Sequence, residues 1–572
     1  MSRKKVLFTI LSAILMVFLA ACGNGPAPAA VGDAGPAAPA AAAATEDGET
    51  TAEAPPQEGL LEVTFVANID QTMIDNTLNQ LEGETFYDNR WTRRIAEDLG
   101  IQVTYLWTAN DPEAYDLRIS LALAAGDLPD IIHLGHIQLA QAVAAGLATP
   151  IQPLVDNYAS DLLRELIYDG GPDAIEAATF DGTWFGLGIG DAPIESSSLL
   201  YIREDWRQAL GLEVPRTLED MFTMIEAFMD FRGDDAVGMT IYQGLLGHNQ
   251  LTLDALLNIY GAYHNFWIPD GSGGLAFSNI QPEYRRAIEM AAEMFRRGYF
   301  DREFTVQDQG MAVESIVSSR NGIYFGAHWT PLWPQPDSLA NDPEADWFAH
   351  PLPTLDGSMP IVGTRSAISE WYVVNSRFEH PEVMILLMNH YAKLTFCPIN
   401  QEYLTYSNPD GIDGVWKLNP VSEVRESNKN PANSRLIRPH LDSGDPGDLF
   451  GEALAMWEFS LLGFDPANRL EMQGWNRIMA SGVNFPFPYG GASSIMYDAW
   501  AEGRYVRNQF VGAPTPTMET HLSILENAWL EEMTRIIIGD VSIDHFETAV
   551  QSWLASGGEA IVSEVNEWYA GR

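Results

Sequence analysis

The chain has 572 residues, with 78 acidic against 32 basic side chains and a formal charge of −46. This acidity excludes nucleic acid or an anionic lipid surface as a partner, because both need a basic footprint. Two cysteines, Cys22 and Cys397, are too few for a disulfide-stapled fold or a Cys-rich zinc or iron–sulfur site.

The N-terminus reads as an address. Arg3, Lys4 and Lys5 precede an almost wholly apolar run from Val6 to Phe18. The run is shorter than the ~20 residues a spanning helix needs. Its layout is that of a secretory signal over residues 1–21. Leu19-Ala20-Ala21-Cys22 then resembles a bacterial lipobox, which implies cleavage before Cys22 and a diacylglycerol on its thiol. The alternative is an ordinary signal in which the Cys is incidental. Cleavage removes three cations and takes the charge to about −49. Residues 22–59 are rich in Ala, Pro, Gly, Thr and Glu and contain no aromatic, so they read as a disordered tether. Cys397 would then stand alone and is expected to be a small buried apolar residue.

The folded body begins at Leu61, where Leu61-Glu-Val-Thr-Phe-Val66 alternates as a strand does. Asn89 to Leu99 has helical spacing and stops at Gly100. Ile101 to Trp107 is a second strand. Tyr115 to Ala125 is a helix closed by Gly126, Asp130 to His133 a short buried strand, and Gln138 to Ala145 a helix stopped by Gly146. Strands alternating with helices predict an α/β body around a largely parallel sheet.

Family motifs appear from here onward. Leu123-Ala-Ala-Gly126-Asp-Leu-Pro129-Asp130-Ile-Ile, Ala145-Gly146-Leu147 and Pro150-Ile-Gln-Pro-Leu154 resemble a stretch typical of extracellular solute-binding proteins of family 1. Phe180-Asp-Gly-Thr-Trp184-Phe-Gly186-Leu and Tyr201-Ile-Arg-Glu-Asp-Trp206, with Pro215-Arg-Thr217-Leu-Glu219, continue the likeness. Arg320-Asn-Gly322 to Trp329, Ser369-Glu370-Trp371-Tyr372, His380-Pro381-Glu382 and Gly512-Ala-Pro514 to Met518 follow in the family's order. The likeness covers about residues 60–572 and is closest to the large sugar-binding lipoprotein subgroup of ABC importers.

That resemblance implies an α/β, two-lobe periplasmic-binding-protein-like fold (type II), with a hinge and an interlobe cleft. Lobe 1 is expected over 60–190 and 358–425, and lobe 2 over 191–357 and 426–572. Crossings are placed near 188–198, 355–363 and 419–430. It implies a monomeric, lipid-anchored protein on the outer face of the bacterial cytoplasmic membrane, of Gram-positive type. Such a protein captures an oligosaccharide and hands it to the permease subunits of an ABC transporter. The membrane is met only through the anchor.

Catalytic signatures are missing. There is no G-x-S-x-G elbow, no H-E-x-x-H and no P-loop, and Gly186-Leu-Gly188-Ile-Gly190 carries Asp191 at the third glycine position of a dinucleotide loop. No enzyme activity and no cofactor are expected. The alternatives are a tethered polysaccharide-degrading enzyme, or a binding lipoprotein that feeds a membrane sensor.

Sugar binding suits the composition. Aromatics make up 11% of the chain, and a flat ring matches the C–H face of a sugar while polar side chains meet its hydroxyl rim. Trp91, Trp206, Trp457, Trp529 and Trp553 fall in helical patterns and are assigned to the core. The ligand-binding candidates are Trp329, which corresponds to a family aromatic that stacks on sugar, with Trp333, Trp184, Trp371, Tyr372, Trp475 and Tyr489. Polar candidates are His136, His248, Asn249 and Arg365; Arg365 would meet an acidic sugar or else pair with a neighbouring acid. Large relatives often carry a calcium loop after the helix that begins at Thr217. Only Asp230, Asp234 and Asp235 remain of it here, with Arg232 among them, so no metal is expected.

Overall fold

The computed structural model describes residues 59–571, apart from 70–72, 75–76, 170–174, 189–192, 366–369, 399–401, 408, 410–411, 413, 423–425, 463–476 and 480–490. The signal, and the tether up to residue 58, lie outside the described residues.

The body opens with a β-α-β unit. Strand Leu61–Asn68 runs parallel to Ile101–Ala109, with one register shift between Phe65 and Val66. Helix Arg90–Leu99 joins them. Asn89 caps it by accepting from the backbone of Trp91 and Thr92, and the Thr92 hydroxyl accepts in turn from the Asn89 backbone. Gly100 ends it in the left-handed region, at φ 66°, where a side chain would be strained. Helix Pro112–Ala125 follows, capped by Asp111 and closed by Gly126.

The third strand departs from a parallel arrangement. Ile131–Gly135 pairs antiparallel with Glu370–Val374, which also pairs antiparallel with Leu187–Gly188. The Thr64 backbone and hydroxyl both donate to Asp130 Oδ2, at 2.8 and 2.7 Å, tying the first strand to the start of the third. Elsewhere Leu199–Arg203 is flanked antiparallel by Ile323–Gly326 and Trp347–His350. Among the described residues the strands form small sheets of two or three, and antiparallel pairings outnumber parallel ones. A short buried run such as Asp130-Ile-Ile carries no information about the direction of its partner. Here that partner arrives more than two hundred residues later.

Buried apolar side chains gather in two large clusters. One runs from Val63 to Leu187 and resumes from Trp371 to Val421. The other runs from Ile194 to Val362 and resumes from Ala492 to Val565. A small third cluster lies around Ile437, Met456 and Met479. The chain thus leaves the first cluster, builds the second, returns and leaves again. Trp91, Trp206, Trp457, Trp529 and Trp553 are all buried, as their helical spacing predicts. The free Cys397 is half-buried rather than enclosed. Among the described residues no helix is long and apolar enough to cross a membrane.

Candidate functional site

A cavity of about 730 Å³ takes its walls from both large clusters. One wall comes from strands Ile131–Gly135 and Glu370–Val374 and helices Pro112–Ala125 and His136–Ala144. It supplies Tyr115, Asp116, His133, His136, Gln138, Glu370 and Trp371. The facing wall supplies Asn265, Trp267, Phe277, Asn508, Phe510 and Glu526.

Strand register places the first wall. Trp371 lies opposite Leu134 and Tyr372 opposite His133, so the two aromatics point to opposite faces of the sheet. The His133 and Tyr372 rings stack with centroids 4.6 Å apart. The His136 ring stands 4.8 Å from that of Trp371. His136 Nε2 lies 2.9 Å from the Ala177 carbonyl, which can only accept, so the proton sits on Nε2. Burial pushes this imidazole down to about 4, partly offset by that hydrogen bond, and keeps it neutral at physiological pH. Trp371 is 1% exposed, and its indole Nε1 is buried without an acceptor among the described residues. Gly186 permits this placement: a Cβ there would lie 2.8 Å from the Trp371 Cβ.

The facing wall is aromatic with polar supports. Trp267 and Phe277 pack at 5.1 Å across a two-stranded hairpin, and Phe510 meets Trp267 edge-on at 6.4 Å. The Asn508 side chain accepts from the Trp267 backbone at 2.9 Å, which joins strand Trp267–Pro269 to a segment two hundred and forty residues later. Glu526, on helix Pro516–Ile537, accepts from Asn265 Nδ2 at 2.8 Å. Its side chain opens to solvent, yet the protein around its carboxyl raises its pKa through desolvation.

A second cluster forms beside the turn Pro193–Ser196. Trp329 and Trp333 are half-buried and stack with centroids 6.5 Å apart at 27°. The Glu195 carboxylate is buried and accepts from the Asn430 backbone and side chain, each at 3.0 Å, with His328 Nε2 at 3.3 Å. Gln250 Oε1 accepts from Ala327 N at 2.8 Å and Thr330 Oγ1 at 2.6 Å, which holds the turn carrying Trp329.

The predicted residues therefore divide. Trp371 and His136 line the cavity. Trp329, Trp333 and Asn249 gather in the second cluster, where Asn249 Nδ2 donates to the Glu195 carbonyl at 2.9 Å. Arg365 lies beside it: its backbone donates to Ser196 Oγ at 2.9 Å, while its guanidinium pairs with Asp254 at 3.0 Å and donates to the Gly247 carbonyl. His248 is near that pair, and burial lowers its pKa, aided by Arg365. Trp184 is core, with Nε1 donating to the Gly186 carbonyl at 2.6 Å, and Tyr372 is buried beneath the His133 ring rather than lining the cavity itself. Trp475 and Tyr489 lie outside the described residues. Asp230 lies in the last turn of helix Leu218–Arg232, with Asp234 and Asp235 just beyond it. Among the described residues no group of three or more His, Cys, Asp or Glu could hold a metal ion.

Sequence reading misses Trp267, Phe277, Phe510 and Glu526. The available signals were slight: Trp267 precedes Pro269, and Phe510 precedes the Gly512-Ala-Pro514 motif. Nothing in the helical pattern distinguishes Glu526 from its acidic neighbours.

The model of the bacterial extracellular solute-binding protein family matches residues 89–387, just over half of the chain. This chain belongs to that family. Among curated solute-binding relatives, the fructooligosaccharide ABC transporter substrate-binding protein FusA of Streptococcus pneumoniae is 24% identical over 248 residues, 41% of this chain and 45% of FusA. The polygalacturonan/rhamnogalacturonan-binding protein YtcQ of Bacillus subtilis is 26% identical over 216 residues, 36% of this chain and 41% of YtcQ. The match thus spans less than half the length of either. Lipoprotein LipO of Bacillus subtilis is 21% identical over 491 residues, 82% of this chain and 86% of LipO. Among solved structures, alginate-binding protein AlgQ2 superposes with a TM-score of 0.58 at 14% identity, covering 90% of this chain and 99% of that one. FusA with kestose gives 0.58 at 15% identity, covering 89% and 99%. The fold is the α/β periplasmic-binding-protein-like architecture, and FusA, YtcQ and AlgQ2 are named as binding proteins.

Proposed function

We propose that this protein captures an oligosaccharide between two lobes and delivers it to the permease of an ABC transporter. In this reading the two large core clusters are discontinuous lobes joined near residues 188–198, 355–363 and 419–430, and Cys22 carries the lipid anchor. The observation that carries the proposal is the cavity of about 730 Å³ whose aromatic walls come from both clusters. Trp371 and Tyr115 face Trp267, Phe277 and Phe510 across a space of the size that small ligands occupy. The lining also carries hydrogen-bonding groups suited to hydroxyls: His133, Gln138, Asn508 and the carboxylates. Support also comes from the relatives, since FusA and YtcQ are named for the saccharides they bind.

The mechanism is closure by differential contact. A ligand that touches both walls stabilises the closed arrangement by the contacts it makes only there. The closed form then presents both lobes to the permease. Catalysis is not required of any residue.

Thermal unfolding of the full chain with an oligosaccharide panel tests this. At about a hundredfold excess over Kd, a bound sugar should add about 2.7 kcal/mol of stability and raise the unfolding temperature. An unmoved curve with every sugar, alongside a shift with peptides, would overturn the sugar assignment.

A further inference from the structure

The charge of the cavity wall points to what kind of sugar it takes. Three carboxylates line it: Asp116 and Glu370 on one side and Glu526 on the other. Among the described residues, no Arg or Lys lines it. The lining imidazole of His136 is held neutral by burial. The nearest guanidinium along the chain, that of Arg507, lies over the Tyr505 ring at 6.0 Å. Arg365, the cation best placed in sequence to meet an acidic ligand, is taken by Asp254.

Each carboxylate already has a polar neighbour. Glu526 accepts from Asn265 at 2.8 Å, Asp116 from Gln138 at 3.2 Å, and Glu370 lies 3.4 Å from His133 Nδ1. They remain acceptors with lone pairs to spare, which is what sugar hydroxyls need. Trp371, 1% exposed, lines the same cavity and gives it an aromatic floor.

We propose that this cavity is selective for uncharged oligosaccharides and rejects polyuronates. The inference rests on the sugar-binding reading above and narrows it. A carboxylate on every ring would meet three like charges in a partly desolvated space, with no Arg or Lys among the described lining residues to pair with. Neutral sugars lose nothing by that field and gain acceptors.

Three oligosaccharides of equal length decide it, titrated against the full chain at low and at physiological ionic strength: fructo-oligosaccharide, oligogalacturonate and oligoglucosamine. The neutral sugar should bind at least about tenfold more tightly than the uronate, because repulsion in a low-dielectric cleft is costly. Salt should strengthen the weak uronate binding and leave the neutral sugar unchanged, since screening acts only on the charged ligand. In the double variant Glu370→Gln, Glu526→Gln the preference should shrink; the salt series on the parent chain carries the test if that variant does not fold. Uronate binding as tight as neutral binding overturns the selectivity and leaves the sugar reading standing. Oligoglucosamine binding more tightly than both overturns the assignment of an uncharged ligand. Failure of all three to bind overturns the sugar reading, and the selectivity with it.

Discussion

Two tryptophans show how the same residue type serves different ends. Trp371 is enclosed on a sheet, with its ring 4.8 Å from that of His136, and lines the cavity. Trp329 is half-buried and stacked on Trp333 at the end of a strand. Replacing Trp371 by Ala removes a fully packed side chain and should cost about 3–5 kcal/mol. Replacing Trp329 by Ala should cost about 1 kcal/mol, because less area is lost from contact. Chemical denaturation of both variants, with sugar titration of the second, separates them. A Trp329→Ala variant as unstable as Trp371→Ala would mean the Trp329–Trp333 pair is core, not platform. Spacing marks both residues as aromatics in strand-end settings. Their difference in burial comes from the surrounding packing.

At the scale of elements, local chemistry sets where helices begin and end. Thr217 accepts from the Asp220 backbone at 3.1 Å, while the Asp220 carboxylate accepts from the Thr217 backbone at 2.9 Å. Two otherwise orphaned donors are met by residues three apart, which is legible in the sequence as Thr-Leu-Glu-Asp. The same holds for Asn89 and Thr92 at helix Arg90–Leu99. Substituting Thr217 by Ala should cost about 1 kcal/mol, read as a lower urea midpoint with an unchanged slope. No measurable change would show that packing of Leu218, Met221 and Ile225 alone holds the helix start. Strand direction is different in kind. The pairing of Ile131–Gly135 with Glu370–Val374 depends on where the chain has travelled in between, and no local pattern encodes that.

Across the whole molecule, buried imidazoles give stability a pH dependence of known sign. Burial lowers His136, His264 and His350 each to about 4. Near Glu204 and Arg207, His350 also feels opposing charges, and His264 feels Asp254 and Arg365, but desolvation dominates in both. An unfolded histidine titrates near its ordinary value of about 6.5. Between about 4 and 6.5 the unfolded chain therefore holds more protons on these groups than the native one, so their contribution to stability falls as pH falls through that window. Glu426, Asp498 and Glu526, raised by burial, act in the opposite direction. Comparing the parent with His264→Gln cancels those acids. The urea midpoint of the variant should drop less between about pH 7 and pH 5 than that of the parent. An equal drop would show that His264 does not titrate in this window.

The sequence by itself determined the family, the α/β class, the helix ends at Gly100, Gly126 and Gly146, and most of the core tryptophans. Those features are written in residues a few positions apart, where hydrogen bonds and helical or strand periodicity act directly. The candidate site was legible only in part. His136 and Trp371 sit beside motifs, but Trp267, Phe510 and Glu526 join them from segments more than a hundred residues away. The cavity wall, its excess of carboxylates, and the removal of Arg365 by Asp254 were decided by tertiary structure alone. A charge of −46 counts acids over the whole chain, but a ligand responds to the few groups within a Debye length in a space that water has partly left. Only folding selects which carboxylates those are.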